Sequence, residues 1–199
     1  RGQIDPCHAD LRKSQRARPL PNLRNQFLTA EDHHRPIVES APAPQDIHQL
    51  NWQSETDTAA FACQLAAQPL LANAFITLHG DLGAGKTTLV RHLLRALGVA
   101  GRIKSPTYAV VEPYEVYGLS IWHFDVYRFA DPQEWEDAGF RDIFASPGLK
   151  LAEWPDKAAG LTPPADLAIH LDAPDDSTRH VVLQAHTATG RSLLQGLSA

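Results

Sequence analysis

The sequence is short of the residues that cross-link a chain or carry it through a membrane. Its 199 residues include only two cysteines, Cys7 and Cys63, and no methionine. Two cysteines so far apart form neither a disulfide framework nor a C-x-x-C metal pair. No apolar run approaches the roughly 20 residues of a membrane-spanning helix, and none has the pattern of a signal peptide. We therefore expect a protein of the reducing cytoplasm, with no part in a membrane and with Cys63 in its core.

The composition is that of a globular domain with an acidic surface. Apolar residues make up 43% of the chain and charged residues 21%, which is ordinary for a globular protein. The formal net charge is -5, and from residue 49 onward acidic residues outnumber basic ones. Nucleic-acid phosphates repel such a surface on average. Direct binding of nucleic acid by the domain is therefore not expected.

Residues 1–48 differ in composition from the rest of the chain. They carry unpatterned charge and repeated proline, at Pro6, Pro19, Pro21, Pro36, Pro42 and Pro44. Such a segment cannot bury enough apolar surface to offset the entropy lost on ordering it. We expect residues 1–48 to be a disordered or non-native N-terminal extension and residues 49–199 to form the folded domain. The alternative for the basic residues of the extension is an RNA-binding arm.

Eight consecutive residues predict a phosphate-binding loop. Residues 80–87 have the sequence G-D-L-G-A-G-K-T, a complete G-x-x-x-x-G-K-[ST] pattern. Its glycines allow the backbone to approach closely, so that successive N–H groups bind the α- and β-phosphates of a nucleotide. Lys86 would reach the β- and γ-phosphates, and the Thr87 hydroxyl would bind Mg²⁺. A strand pattern at 75–79 precedes the loop and a helical pattern at 89–97 follows it, as this motif requires.

The remaining patterns alternate between strands and helices. A helix begins near Ser54, residues 108–124 form a hairpin, and a helix follows Asp131 and stops at Gly139. Further along, the patterns predict a strand at 149–154, an antiparallel pair at 165–173 and 179–187, and a short helix at 193–195. We therefore expect an α/β protein with a three-layer fold of the P-loop NTPase type, in which a mainly parallel sheet carries antiparallel hairpin strands.

Two carboxylates stand where nucleotide hydrolysis requires them. Asp125 follows the apolar strand pattern 121–124, and Glu153 follows the pattern 149–152 in the same way. Acids at strand ends beside a phosphate-binding loop hold Mg²⁺ and orient water, and the alternative is a pair of solvent-exposed carboxylates. Ser105 and Thr107 flank Pro106 on a short loop, which is either a nucleotide-sensing switch or a simple turn.

Four short motifs follow one another along the domain: G-D-L-G-A-G-K-T-T at 80–88, S-P-T-Y at 105–108, H-F-D-V-Y-R at 123–128 and E-W-P at 153–155. In this order and spacing they resemble the TsaE family, small bacterial P-loop ATPases of tRNA threonylcarbamoyladenosine synthesis. The similarity extends over residues 50–199, and the combination is far more specific than the phosphate-binding loop alone. Residues 1–48 have no counterpart in the short N-terminus of the family.

The resemblance implies an ATPase with ATP and Mg²⁺ as its cofactors. Catalysis would fall to Lys86, Asp125 and Glu153, and the metal ligands would be Thr87, Asp125 and Glu153. The nucleotide would contact Asp81, Leu82, Gly83, Ala84, Gly85, Lys86, Thr87, Thr88, Ser105, Thr107 and Trp154. His123 is either a packed strand residue or a proton carrier, and Arg128 is either an ion-pair partner or a charge stabiliser.

The resemblance also implies that hydrolysis serves a TsaB–TsaD heterodimer, through which the chain meets tRNA only indirectly. Two other functions stay open at this point: a nucleotide-binding regulatory adaptor with little hydrolysis, and a small P-loop kinase. The kinase lacks support because no arginine-rich lid or acceptor site follows the loop. A regulatory GTPase is disfavoured because the sequence contains no Asn-Lys-x-Asp motif, which reads guanine.

Overall fold

A seven-stranded sheet forms the middle of the structure, a computed structural model that describes residues 46–129 and 132–197. The strands are β1 (Ile47–Trp52), β2 (Phe75–His79), β3 (Val111–Val116), β4 (Leu119–Asp125), β5 (Leu149–Glu153), β6 (Leu167–Asp172) and β7 (Arg179–Ala185). Their order in the sheet is β1-β7-β6-β2-β5-β4-β3. The four central strands, β6, β2, β5 and β4, are parallel, while β7, β1 and β3 pair antiparallel at the two sides. The predicted α/β class and mixed sheet are confirmed.

Helices cover both faces of this sheet, which makes the predicted three layers. The helices are α1 (Glu55–Ala66), α2 (Lys86–Ala96), α3 (Pro132–Asp137), α4 (Phe140–Ala145) and α5 (Ala188–Gly196), with short 3-10 turns at Pro69–Asn73 and Pro155–Ala158. One core joins α1, α2 and α5 to sheet residues such as Ile76, Leu78 and Leu151. A second core, rich in aromatic rings, joins α3 and α4 to Phe75 and Phe124 on the opposite face.

The alternation of side chains along the strands decides where the acidic residues lie. Ile121 and Leu149 belong to the core beneath α1 and α2. Asp125 and Glu153 each follow four positions later along their strands, so they lie on that same face of the sheet. In the parallel pairing of β4 with β5, Asp125 is directly opposite Glu153. Both carboxylates therefore stand at the carboxyl edge of the sheet, on the side covered by α2.

Most of the elements predicted from local pattern are confirmed. Asp57 accepts a hydrogen bond from the backbone N–H of Ser54 at 3.1 Å, which fixes the start of α1 as its sequence predicts. The hairpin β3–β4, the antiparallel pair β6–β7 and the final helix α5 are also present. The helix predicted between Asp131 and Gly139 is present as α3, whereas its predicted cap, Asp131, lies outside the described residues. Strand β1 is not among the predicted elements.

The expectations about Cys63, about membrane helices and about the N-terminal extension have different outcomes. Cys63 is half-buried on α1, rather than fully buried in the core as expected. Within residues 46–129 and 132–197, no helix has the length and apolar character needed to cross a membrane. Location in the cytoplasm stays a prediction. The proposed extension, residues 1–48, lies outside the described residues as far as residue 45, and its state stays a prediction as well.

Candidate nucleotide-binding site

The predicted phosphate-binding loop connects β2 to α2, as its motif requires. Gly80 has a φ of +132°, and a Cβ at this position would lie 2.2 Å from the backbone oxygen of Leu171. Gly85 has a φ of +105° and directly precedes the first residue of α2. Any residue other than glycine would strain the backbone at both positions and collide with β6 at the first. The sequence thus fixes a tight loop that leads into a helix N-terminus, where backbone N–H groups lack partners within the helix.

Lys86 is folded back into the loop that it follows. Its Nζ donates to the backbone oxygens of Gly80 at 2.6 Å and Asp81 at 2.8 Å. The same nitrogen lies 3.7 Å from the ring centroid of Trp154. Only 4% of Lys86 is exposed, and burial lowers its pKa, although the nearby Glu153 and Asp125 carboxylates oppose that shift. A buried ammonium held by neutral oxygens is prepared for a stronger, anionic partner.

Glu153 links the phosphate-binding loop to the central strands. Its Oε1 and Oε2 both accept from the Thr87 hydroxyl, at 3.0 and 2.8 Å. Its Oε1 also pairs with His123 Nε2 at 2.8 Å. Glu153 is 2% exposed. The alternative of a solvent-exposed carboxylate is therefore wrong for this residue.

Asp125 is held by the loop that carries Ser105 and Thr107. The Thr107 hydroxyl donates to Asp125 Oδ2 at 2.9 Å, and the Ser105 hydroxyl donates to the same oxygen. The other carboxylate oxygen accepts from the backbone N–H of Tyr127 at 3.0 Å. Asp125 is 4% exposed, so the solvent-exposed alternative is wrong here as well.

The loop 104–110 is tied to the end of β4 by its backbone too. Val110 donates to the Pro106 carbonyl at 2.7 Å, and its own carbonyl accepts from Asp125 N at 2.9 Å. Val110 has a φ of 65° and Trp154 a φ of 60°. Such left-handed conformations are unfavourable for β-branched and bulky residues, and they concentrate at functional sites. The Ser-Pro-Thr segment is therefore more than a simple turn, because it holds an acid through two hydroxyls and a constrained backbone.

Two of the predicted nucleotide contacts, Asp81 and Leu82, have side chains exposed at the surface of the loop. The side chain of Leu82 is 83% exposed, and Asp81 is also exposed. Tyr108, on the loop 104–110, is 87% exposed. The Arg128 guanidinium lies over the Tyr108 ring, 4.5 Å from the ring centroid. Arg128 thus contacts an aromatic ring, which neither of its two predicted roles includes.

Arg179 is a site residue that the sequence analysis missed. Its Nε donates to the Ala84 carbonyl of the phosphate-binding loop at 2.9 Å, from 95 positions away in the chain. Its Nη1 donates to the backbone oxygens of Asp175 and Thr178, at 3.0 and 2.7 Å. No local pattern marks an arginine at the start of an antiparallel strand as a ligand of this loop.

A cleft opens beside the loop on the same side as Arg179. Its volume is about 320 Å³, which lies within the usual range for small-ligand sites. Ala84, Gly85 and Thr88 border it from the phosphate-binding loop and α2. The remaining wall includes Ser54 and Thr58 near the start of α1, and Ser177 and Arg179 near the start of β7. The cleft therefore extends from the phosphate-binding loop toward β6 and β7.

The oxygen atoms near Lys86 suit magnesium when phosphate completes the ligand set. Thr87, Asp125 and Glu153 offer a hydroxyl and two carboxylates, the hard oxygen ligands that Mg²⁺ prefers. In the part of the chain that the structure describes, no group of three or more His, Cys, Asp or Glu residues is placed to hold a metal by itself. Mg²⁺ is commonly bound by one or two carboxylates together with substrate phosphates, and the residues present fit that arrangement.

Comparison with known proteins finds relatives whose similarity to this chain extends over the site residues. Residues 52–181 match the model of a family described as "Threonylcarbamoyl adenosine biosynthesis protein TsaE". A Haemophilus influenzae protein named tRNA threonylcarbamoyladenosine biosynthesis protein TsaE is 46% identical over 123 residues, which are 62% of this chain and 77% of that protein. A Bacillus subtilis protein of the same name is 34% identical over 139 residues, or 69% and 86% of the two chains. A crystal structure of Bacillus subtilis YdiB superposes with a TM-score of 0.57 at 28% identity, covering 75% of this chain and 93% of that one.

Proposed function

Because the chain belongs to the TsaE family of threonylcarbamoyl adenosine biosynthesis proteins, we propose that it binds and hydrolyses MgATP in the synthesis of threonylcarbamoyladenosine on tRNA. The observation that carries the proposal is the hydrogen bond between Thr87 and Glu153 beside the buried Lys86. It joins the phosphate-binding loop, a hydroxyl for the metal and a carboxylate in one place. A structural role alone gives no reason to bury these groups together.

The charge of Lys86 and the cleft beside the loop support the proposed binding of ATP. Lys86 Nζ is held by two carbonyl oxygens, which a phosphate oxygen replaces with a stronger, charge-assisted partner. The triphosphate would lie against the loop and the first turn of α2, and the cleft beside Gly85 would take the ribose and base. The absence of a guanine-reading motif favours adenine.

The Thr87 hydroxyl could contact Glu153 and a metal ion at the same time. Its hydrogen is donated to Glu153, so its lone pairs remain free for a metal ligand bond. Bound Mg²⁺ would supply positive charge to the phosphate oxygens. Asp125 and Glu153 would orient the ion and the attacking water, and Lys86 would neutralise charge on the leaving phosphates. All of these groups reach the site from rigid strand ends or from the first turn of α2.

We propose further that a TsaB–TsaD heterodimer is the partner and that it accelerates hydrolysis. Two observations support a protein partner beside the nucleotide. The large side chains of Leu82 and Tyr108 are exposed on the two loops that hold site residues. In addition, Ser105 and Thr107 both donate to Asp125, so one of its oxygens is already engaged. A partner that moves the loop 104–110 would release that oxygen and thereby couple its own state to hydrolysis.

The proposal is tested in two steps, nucleotide binding and then phosphate release. Calorimetry should show MgATP binding that Lys86→Ala weakens by at least about tenfold, because a charge-assisted contact of about 1.5–3 kcal/mol is lost. Lys157→Ala, an exposed lysine, is the matched control and should change nothing. Phosphate release is then measured with and without purified TsaB–TsaD. Binding without any release, even with the partner, would favour the adaptor; acceleration by the partner supports the ATPase.

A further inference from the structure

We propose that His123 is the positioning residue of this site, holding the Glu153 carboxylate in the orientation that hydrolysis needs. The inference deepens the proposed function and rests on it. His123 belongs to the strand β4 that ends in Asp125, yet its contact is with the acid of the neighbouring strand. It does not touch the cleft residues or the phosphate-binding loop through any described hydrogen bond, so its effect would pass through Glu153.

The geometry places His123 beneath Glu153 as a fixed support. The ring is fully buried, at 0% exposure, and its Nε2 lies 2.8 Å from Glu153 Oε1. His123 is paired with Leu151 in the register of β4 with β5, two positions before Glu153. Alternation puts the side chains of His123 and Glu153 on the same face of the sheet, one diagonal step apart. Both residues lie on strands of the central parallel pairing, which fixes their backbones relative to each other.

The contact requires hydrogen on Nε2. A carboxylate oxygen only accepts, so the ring nitrogen that faces it must be the donor. Among the residues that the structure describes, none is a hydrogen-bond partner of the other ring nitrogen, Nδ1. In the neutral ring with its hydrogen on Nε2, only the Nδ1 lone pair is left unsatisfied. The other neutral tautomer would leave an N–H donor unsatisfied at Nδ1 and set the Nε2 lone pair against a carboxylate oxygen. His123 therefore acts as a hydrogen-bond donor to Glu153 Oε1 through Nε2.

Two donors from different directions fix the plane of the carboxylate. Thr87 approaches both carboxylate oxygens, at 3.0 and 2.8 Å, while His123 approaches Oε1 alone. Thr87 by itself leaves the carboxylate free to turn about its own axis, because both of its contacts come from one hydroxyl. The second donor removes that freedom and decides which oxygen faces the phosphate-binding loop. Residues that orient a ligand in this way typically contribute about 10- to 100-fold to activity.

Two substitutions separate a donor from a merely space-filling ring. Gln places an amide N–H near the former Nε2 and Leu fills the cavity without a donor. In the complete chain with TsaB–TsaD, His123→Leu should lower kcat by about 10- to 100-fold, while the KM for ATP stays within about threefold of the parent value. His123→Gln should restore kcat to within about threefold of the parent. Equal losses in both variants, or a loss confined to KM, would overturn the proposal.

A second measurement tests whether His123 acts through Glu153. In a Glu153→Gln background, His123→Leu should lower kcat no further, because the carboxylate that it orients is already gone. Independent, multiplicative losses would contradict the proposal.

Crystal structures of the two variants supply a readout that does not require hydrolysis. The carboxylate plane of Glu153 should keep its orientation in His123→Gln and should turn about the carboxylate's own axis in His123→Leu. An unmoved Glu153 in His123→Leu would overturn the inference even if the parent hydrolyses ATP. A parent without phosphate release would instead overturn the proposed function.

Discussion

Thr87 and Glu153 are 66 positions apart in the chain, and the Thr87 hydroxyl donates to both oxygens of the Glu153 carboxylate. The contact joins the first turn of α2 to the end of β5, two elements that approach the phosphate-binding loop from different sides. If phosphate binds at the loop, its arrival would therefore reach a strand-end acid through a single hydroxyl.

The two acids should separate nucleotide binding from hydrolysis. Glu153→Gln and Asp125→Asn remove a negative charge with little change in volume, and both should retain ATP while phosphate release falls by at least about 100-fold. Asp125→Asn should also raise the Mg²⁺ concentration needed for half-maximal rate. The exposed Asp142→Asn on α4 is the matched control. Full turnover in both site variants, assayed with TsaB–TsaD, would remove these acids from the mechanism.

Arg179 should be required for the shape of the phosphate-binding loop. Arg179→Ala frees the Ala84 carbonyl, so the affinity for both ATP and inorganic tripolyphosphate should fall by about tenfold, a loss of about 1.5 kcal/mol. Arg95→Ala removes an exposed arginine from α2 and serves as the control. Calorimetry with each ligand decides the matter. A loss confined to ATP would show that Arg179 contacts the nucleoside rather than the loop.

Thr107 should couple the nucleotide site to its partner. Thr107→Ala removes one of the two hydroxyls that hold Asp125 Oδ2, which loosens the loop 104–110 without touching the phosphate-binding loop. ADP affinity should therefore remain within about twofold of the parent value, while acceleration of phosphate release by TsaB–TsaD is lost. Acceleration equal to that of the parent would assign the coupling to another segment.

The stability of the domain should fall on acidification because of a histidine pair. His79 and His170 stack with ring centroids 4.3 Å apart. Burial lowers the pKa of His79 below its ordinary 6.5, and His170 and His186 lower it further, while Asp156 opposes them. Burial lowers the pKa of His170 as well.

The unfolded chain therefore binds more protons than the folded one as pH falls below 6.5, and stability is lost over that interval down to the lowered pKa values. His79→Phe preserves an aromatic ring in the stack and removes one titrating group. Its Tm should fall less than the parent Tm between about pH 7.5 and about pH 5.5. An equal fall in both proteins would show that other groups govern the acid sensitivity.

The parts of the fold that the sequence predicts are those with strong local patterns. The phosphate-binding loop between β2 and α2 depends on glycines and on short apolar runs, and these are visible in one segment of sequence. Strand β1 is not predictable in this way, because it is an edge strand with exposed or half-buried positions except at Trp52. Its polar residues His48, Gln49 and Asn51 hide the alternation that marks a strand.

The contacts within the site depend on tertiary register, which one sequence does not reveal. Asp125 and Glu153 are predictable as strand-end acids, but their direct pairing follows from the placement of β4 beside β5. The two hydroxyls on Asp125 depend on the fold of the loop 104–110, and the Arg179 contact spans 95 positions. A motif therefore identifies which groups belong to the site, and packing decides which of them meet.

The most direct test of the proposed function is multiple-turnover formation of threonylcarbamoyladenosine on tRNA with purified TsaB–TsaD and the substrates of the pathway. This chain is added as the parent protein or as Lys86→Ala, and product is counted per TsaB–TsaD complex over time. We predict sustained turnover with the parent and an arrest after the first cycles with Lys86→Ala or with no addition. Equal product over many cycles in all three reactions would contradict it, however tightly the phosphate-binding loop binds ATP.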